Sequence, residues 1–150
     1  MGVETPVARF LLVAHQTADR PELLAIAKEL AAREHQSQFT LLVPATPVGD
    51  LLTWEEGETK DVARARAESA AEVLRGTGID VAEVRVGDAD PVLAVEDELR
   101  AGHRYDAVVV STLPPGISRW IKMDVISRLR RTHPQVRLIH VFAKEPSPTE

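Results

Sequence analysis

The sequence predicts an α/β fold, a five-stranded parallel sheet with two helices on each face. Two observations carry this reading. Five short apolar runs, at 8–14, 39–45, 80–86, 105–111 and 136–142, alternate with four segments of helical spacing. Most of the runs are continuously apolar, as strands buried on both faces must be. The β-α-β-α-β-α-β-α-β order then demands parallel crossovers, which put helices on both sides of the sheet.

The first run, "ARFLLVA", is followed by a helical segment with Leu23, Leu24, Ala27, Leu30 and Ala31 on one face. The second, "FTLLVPA", leads into the 13-residue stretch "PVGDLLTWEEGET", a long connection of the kind that often serves function or lacks order. An alanine-rich helix over about 59–76 aligns Ala63, Ala67, Ala70 and Leu74 and stops at Gly76 and Gly78. The third run, "DVAEVRV", alternates, which predicts an edge or half-exposed strand. The third helix begins at "DADPVLAV", with Asp90 as cap, Pro91 in the first turn, and Val92, Val95 and Leu99 facing inward. The fourth helix carries Ile121, Val125 and Leu129 and closes at "THP".

The 150 residues suit one domain, with an ordered core over about 8–143 and a frayed "KEPSPTE" tail. Apolar residues are 44% and charged residues 27%, ordinary for a globular protein. A net charge of -5 argues against general nucleic-acid binding, because no global positive field would concentrate on phosphates. The absence of cysteine excludes disulfides, thiolate metal sites and a cysteine nucleophile, and fits a cytoplasmic setting. No apolar run approaches the roughly 18 residues of a membrane span. The start "MGVETPVARF" lacks signal-peptide character, and Pro6 stands where myristoylation wants Ser or Thr.

In such a sheet the ligand crevice lies past the carboxyl ends of the strands, where strand order reverses. The residues expected there are "HQT" (15–17), "PATP" (44–47), "GD" (87–88) and "STLPPGISRW" (111–120). His15 is the histidine candidate for ligand contact, the alternative being a capping or solvated turn residue. His35, His103 and His133 sit at helix ends, where cationic side chains are common. His140 lies within the last strand. No H-x-x-x-H or H-x-H spacing points to a metal. Asp88 and Asp90 could do acid–base work or hold magnesium, but a turn followed by a helix cap accounts for them. Phosphate-loop, dinucleotide and nucleophile-elbow motifs are missing, so a catalytic role is not indicated. The fourth helix is locally basic. Arg128, Arg130 and Arg131 suit its C-terminus, whereas Arg119 and Lys122 stand near the crevice and could meet an anion.

Taken together, "FLLVA", "VGDADPVLAV" and "YDAVVVSTLPPG" running into "SRWIKMDVISRLRR" resemble the universal stress protein family over Arg9 to Phe142. The likeness is to a short, divergent, actinobacterial-type branch with "STLPPG.SRW". It implies the adenine nucleotide α-hydrolase-like fold, with strand order 3-2-1-4-5, a crevice between the first and fourth strands, and a homodimer through the last strand (Val136–Phe142). ATP-binding members carry G-x2-G-x9-G-[ST] after the fourth strand. That spacing falls without a gap on Ser111, Pro114, Asp124 and Val125, and all four depart. The aspartate that usually follows the first strand is replaced by His15.

The departures have physical consequences. Glycines let a backbone approach phosphate oxygens, and Pro114 has no N–H to donate. An Asp124 cap on a helix starting at Val125 would occupy the N–H groups a phosphate needs, and would repel a triphosphate by roughly 1 kcal/mol or more. The expectation is a dimeric, non-catalytic stress-response or regulatory domain with no cofactor beyond a degenerate nucleotide or small-ligand site, whose crevice holds a small ligand or none and in which ATP binding is doubtful. Its remodelled crevice is lined by His15, Gln16, Thr17, Pro44, Gly87, Ser111, Thr112, Pro114, Ser118, Arg119 and Asp124. The alternative is a nucleotide-binding protein or weak ATP hydrolase that holds phosphate with Arg119 and Lys122.

Overall fold

The computed structural model describes residues 6–46, 56–114 and 118–144. Five strands form one parallel sheet in the order β3-β2-β1-β4-β5. They are β1 (Ala8–Val13), β2 (Ser37–Pro44), β3 (Val81–Gly87), β4 (Ala107–Thr112) and β5 (Leu138–Phe142). The helices are α1 (Pro21–Ala32), α2 (Glu56–Gly76), α3 (Pro91–Arg100), a four-residue α4 (Arg119–Lys122) and α5 (Val125–Thr132). Each strand lies within about two residues of its predicted limits.

Strand alternation divides the core in two. Phe10, Leu12, Leu41 and Val43 face α1 and α2, where they meet Leu23, Ala27, Ala63, Ala67, Ala70 and Leu74. Leu11, Val13, Val108 and Val110 face the other side and meet Val92, Val95, Val125 and Leu129 of α3 and α5. Apart from the exposed Arg9, the central strands β1 and β4 are buried on both faces, which explains their nearly continuous apolar runs. The alternating β3 lies at one edge, with Ala82 and Glu83 exposed. The opposite edge is β5, half-buried, with Phe142 49% exposed.

Local chemistry explains the element ends. Asp90 accepts from the Val92 N–H at 2.9 Å and Pro91 occupies the first turn of α3, as the "DADP" pattern predicts. Asp88 accepts from the Asp90 N–H at 2.9 Å, forming the turn that precedes the cap. Gly87 has a packing role: a Cβ there would lie 2.8 Å from the Ala94 Cβ, so its bare backbone is what lets α3 sit against β3.

Two expectations change. The fourth helix is two helices, because Asp124 adopts a left-handed conformation (φ 57°, ψ 36°) that interrupts it between α4 and α5. Of the connection "PVGDLLTWEEGET", the last four residues belong to the start of α2, and the rest lies outside the described residues.

Candidate functional site

The order 3-2-1-4-5 reverses direction between β1 and β4, and in open parallel sheets a ligand crevice is expected at the carboxyl ends flanking such a reversal. The turn after β1 brings His15 and Thr17 there, held by the Ala18 N–H to the His15 carbonyl and the Arg20 N–H to the Thr17 carbonyl, both 3.1 Å. The end of β4 brings Ser111 and Thr112. These two sides are joined: Thr17 Oγ1 donates to Ser111 Oγ at 2.7 Å and lies 3.2 Å from the Ser111 carbonyl, and both side chains are buried.

His15 is 4% exposed, and neither ring nitrogen has a hydrogen-bond partner among the described residues. Burial, reinforced by the positive charge of Arg66, lowers its pKa from 6.5 to about 4. The ring is therefore neutral at physiological pH, with one N–H donor and one nitrogen acceptor that no described residue meets. Such an imidazole is costly to bury, on the order of 1–3 kcal/mol for an unsatisfied polar group.

The remaining predicted residues divide by role. Gln16 is exposed beside His15. Pro44 is buried and registers against Gly87, where β2 meets β3. Thr112 faces away from the crevice toward β5, its Oγ1 2.9 Å from His140 Nε2. His140 in turn packs against the Phe142 ring at 4.2 Å, and burial lowers its pKa. Pro114 turns its carbonyl to the Ser118 N–H at 3.1 Å. Ser118 is buried, and its Oγ accepts from the Ile121 N–H at 3.2 Å, so it caps α4. Arg119 opens α4, but its side chain lies outside the description. Lys122 is exposed.

Asp124 differs from expectation. Its carboxylate makes no capping hydrogen bond, because the left-handed backbone turns it away from the α5 amides. It lies instead 3.8 Å from Arg131 at the surface, both side chains well exposed. The α5 amides are thus not occupied by Asp124. Yet the left-handed conformation is the one glycine adopts most readily, and Asp is among the few other residues that tolerate it. Val125, at the hydroxyl position, is fully buried in the α3/α5 core and does not face the crevice.

Two residues within the expected crevice segments gain roles that were not singled out. The Trp120 indole is 6% exposed and donates from Nε1 to Thr46 Oγ1 at 3.2 Å. Thr46 Oγ1 donates in turn to the Ala89 carbonyl at 2.7 Å. The segment after β4 is thereby tied to the ends of β2 and β3. A second cluster escaped sequence reasoning because its members are distant in the chain. Buried Glu98 accepts from Tyr105 Oη at 2.9 Å and lies 3.2 Å from Arg85 Nε. Desolvation, with the Glu98 charge, raises the Tyr105 pKa to about 12. The Asp90 cap also carries an ion pair to Arg128, 2.9 Å to Oδ2, linking α3 to α5.

Comparison with solved structures places this architecture. A universal stress protein from Archaeoglobus fulgidus superposes with a TM-score of 0.60 at 18% identity, over 89% of this chain and 93% of that one. The fold is that of the universal stress proteins. Universal stress protein UspA from Lactobacillus plantarum gives a TM-score of 0.55 at 16% identity, covering 89% and 97% of the two chains. A universal stress protein family protein from Arabidopsis thaliana, solved with AMP bound, gives 0.49 at 15% identity, over 94% and 97%. No protein-family model and no curated protein matches the sequence. No helix among the described residues of this universal stress protein-like chain is long and apolar enough to cross a membrane.

Proposed function

We propose that the chain is a non-catalytic regulatory domain of universal stress protein type. Its crevice takes a small neutral or weakly charged ligand rather than ATP held in the glycine-motif manner. His15 carries the reading. A neutral imidazole buried beside a strand-order switch point, with neither nitrogen partnered among the described residues, gives up stability for which a hydrogen-bonding ligand would compensate. Loss of the glycine frame supports the second half. Pro114 offers no N–H, and Ser111 is bonded to Thr17 across the opening.

Calorimetry with ATP and Mg²⁺ tests this, with an expected Kd no tighter than about millimolar, near -4 kcal/mol. Native mass spectrometry of freshly purified protein should show a small non-nucleotide adduct that His15→Leu abolishes. Micromolar ATP binding would overturn the reading in favour of a nucleotide site built on Arg119 and Lys122. We further propose a two-fold dimer through β5, a half-buried edge strand that invites pairing. Light scattering showing only monomer at micromolar concentration would refute it.

A further inference from the structure

At the amino ends of the strands, opposite His15, the helix layer leaves a gap. Arg9 of β1 shares a sheet face with Leu11 and Val13 by strand alternation. Those two are fully buried against α3 and α5, yet Arg9 is exposed. A central strand of a parallel sheet is ordinarily covered on both faces. Over Arg9 lies an open cleft of about 1130 Å³, walled by the end of α3 and its following turn and by the end of α5 and its following turn. Its charges are unevenly matched. Glu96 meets Arg100 at 3.3 Å and His133 at 3.5 Å. The Asp106 carboxylate accepts from the Arg9 backbone N–H at 2.8 Å, and the Asp106 N–H donates to the Arg9 carbonyl at 2.7 Å, so this acid fastens β4 to β1. The guanidiniums of Arg9 and Arg104 have no acidic partner among the described residues. Neither stands in the last turn of a helix, so the helix dipole that accounts for Arg100 does not account for them. Val7, Leu99 and Val136 add apolar lining.

We propose that this cleft docks an acidic segment of a partner protein, one that carries an apolar side chain beside its carboxylates. Magnitudes decide against a free small anion. An exposed ion pair changes affinity by about fivefold or less, so two exposed guanidiniums in an open cleft hold a hydrated ion poorly. An extended segment adds apolar contact with the lining to those pairs, and arginine clusters read acidic motifs in this way. The apolar void behind Leu99 and Val136 measures about 10 Å³, the room of a single water, so no acyl chain enters there. The net charge of -5 disfavours nucleic acid. The inference goes beyond the ligand reading of His15 and does not depend on it.

The probe is a fluorescein-labelled octapeptide of glutamates interrupted by two leucines, titrated with the full chain and followed by fluorescence anisotropy. Saturable binding is expected, weaker at physiological than at low salt. Combining Arg9→Ala with Arg104→Ala should weaken it roughly fivefold or more, and replacing the peptide's leucines by serine about tenfold. Both arginine side chains are exposed, so the double variant should keep the thermal midpoint. Should it not fold, Arg104→Glu alone, in the turn before β4, should weaken the peptide roughly threefold or more. Absence of saturable binding overturns the proposal, as does equal binding by the arginine variants or by the serine peptide. A single-stranded oligonucleotide of equal charge that binds as tightly would favour nucleic acid and also overturns it. Light scattering in which the double variant lowers the particle mass would make a second copy the occupant, with the same consequence. His15→Leu should leave peptide binding unchanged, which separates a failure here from a failure of the ligand reading.

Discussion

Thr17 and Ser111, 94 residues apart in the chain, share a buried 2.7 Å hydrogen bond across the opening between β1 and β4. Ser111 stands where the ATP-binding pattern of the resembled family has its first glycine, so the hydroxyl that this pattern lacks bridges the ends of β1 and β4 here. Thr17→Val should cost about 1–2 kcal/mol in urea unfolding, because it leaves the Ser111 hydroxyl buried and unpaired. A double-mutant cycle with Ser111→Ala should return a coupling of about 1 kcal/mol. Additive effects would show that the bond contributes nothing.

His15 makes stability depend on acid in a definite direction. Its folded pKa of about 4 is below the ordinary 6.5. Between these values the unfolded chain holds a proton that the folded chain does not. The His15 contribution is thus fully present above pH 6.5 and is lost as pH falls toward 4, by on the order of 3 kcal/mol. His15→Leu should flatten that part of the pH–stability curve relative to the unmodified protein. At pH 7.5 it should add about 1 kcal/mol, since two unpartnered nitrogens are replaced by apolar surface. Parallel curves for the two proteins over pH 4–6.5 would contradict the assignment.

Asp124→Gly should be mildly stabilising, by about 0.5 kcal/mol, because glycine relieves the left-handed strain while its greater unfolded-state freedom offsets part of the gain. The surface pair with Arg131, at 3.8 Å and well exposed, contributes little against this. A thermal midpoint lowered by the substitution would mean that the Asp124 side chain has a role beyond tolerating its φ of 57°.

Gly87→Ala should destabilise by about 2 kcal/mol or more, measured by chemical denaturation. The new methyl would meet the Ala94 Cβ at 2.8 Å and the Leu42 Cδ1 at 2.9 Å, and the helix-borne Ala94 cannot rotate aside. A neutral outcome would require α3 to slide outward, which the Asp90–Arg128 pair opposes.

The sequence by itself determined whatever depends on neighbours along the chain. Apolar runs against helical spacing placed five strands and most of the helices, and the alternation of "DVAEVRV" identified an edge strand. "DADP" specified a turn, a cap and a first-turn proline, because Asp carboxylates reach amides only two residues on. The sequence also placed His15 just after the first strand and Ser111 near the end of the fourth, where the structure has them; that they line a ligand site is the proposal made above.

Tertiary structure decided what depends on side chains far apart in sequence meeting in space. Helical spacing runs through Asp124, and although a helix start at Val125 was weighed, its left-handed backbone and uncapped amides were not legible; burial of both Trp120 and Val125 against the same face accompanies the break. Whether His15 was solvated or sealed off depended on what α2 and the β4 end place around it. Whether Ser111 was free or bonded depended on Thr17. Trp120 reads as one more apolar residue in a helical segment until strand order brings Thr46 within 3.2 Å of its N–H. Hydrophobic period and capping act over a few residues, whereas desolvation and cross-strand hydrogen bonds exist only once the sheet is assembled.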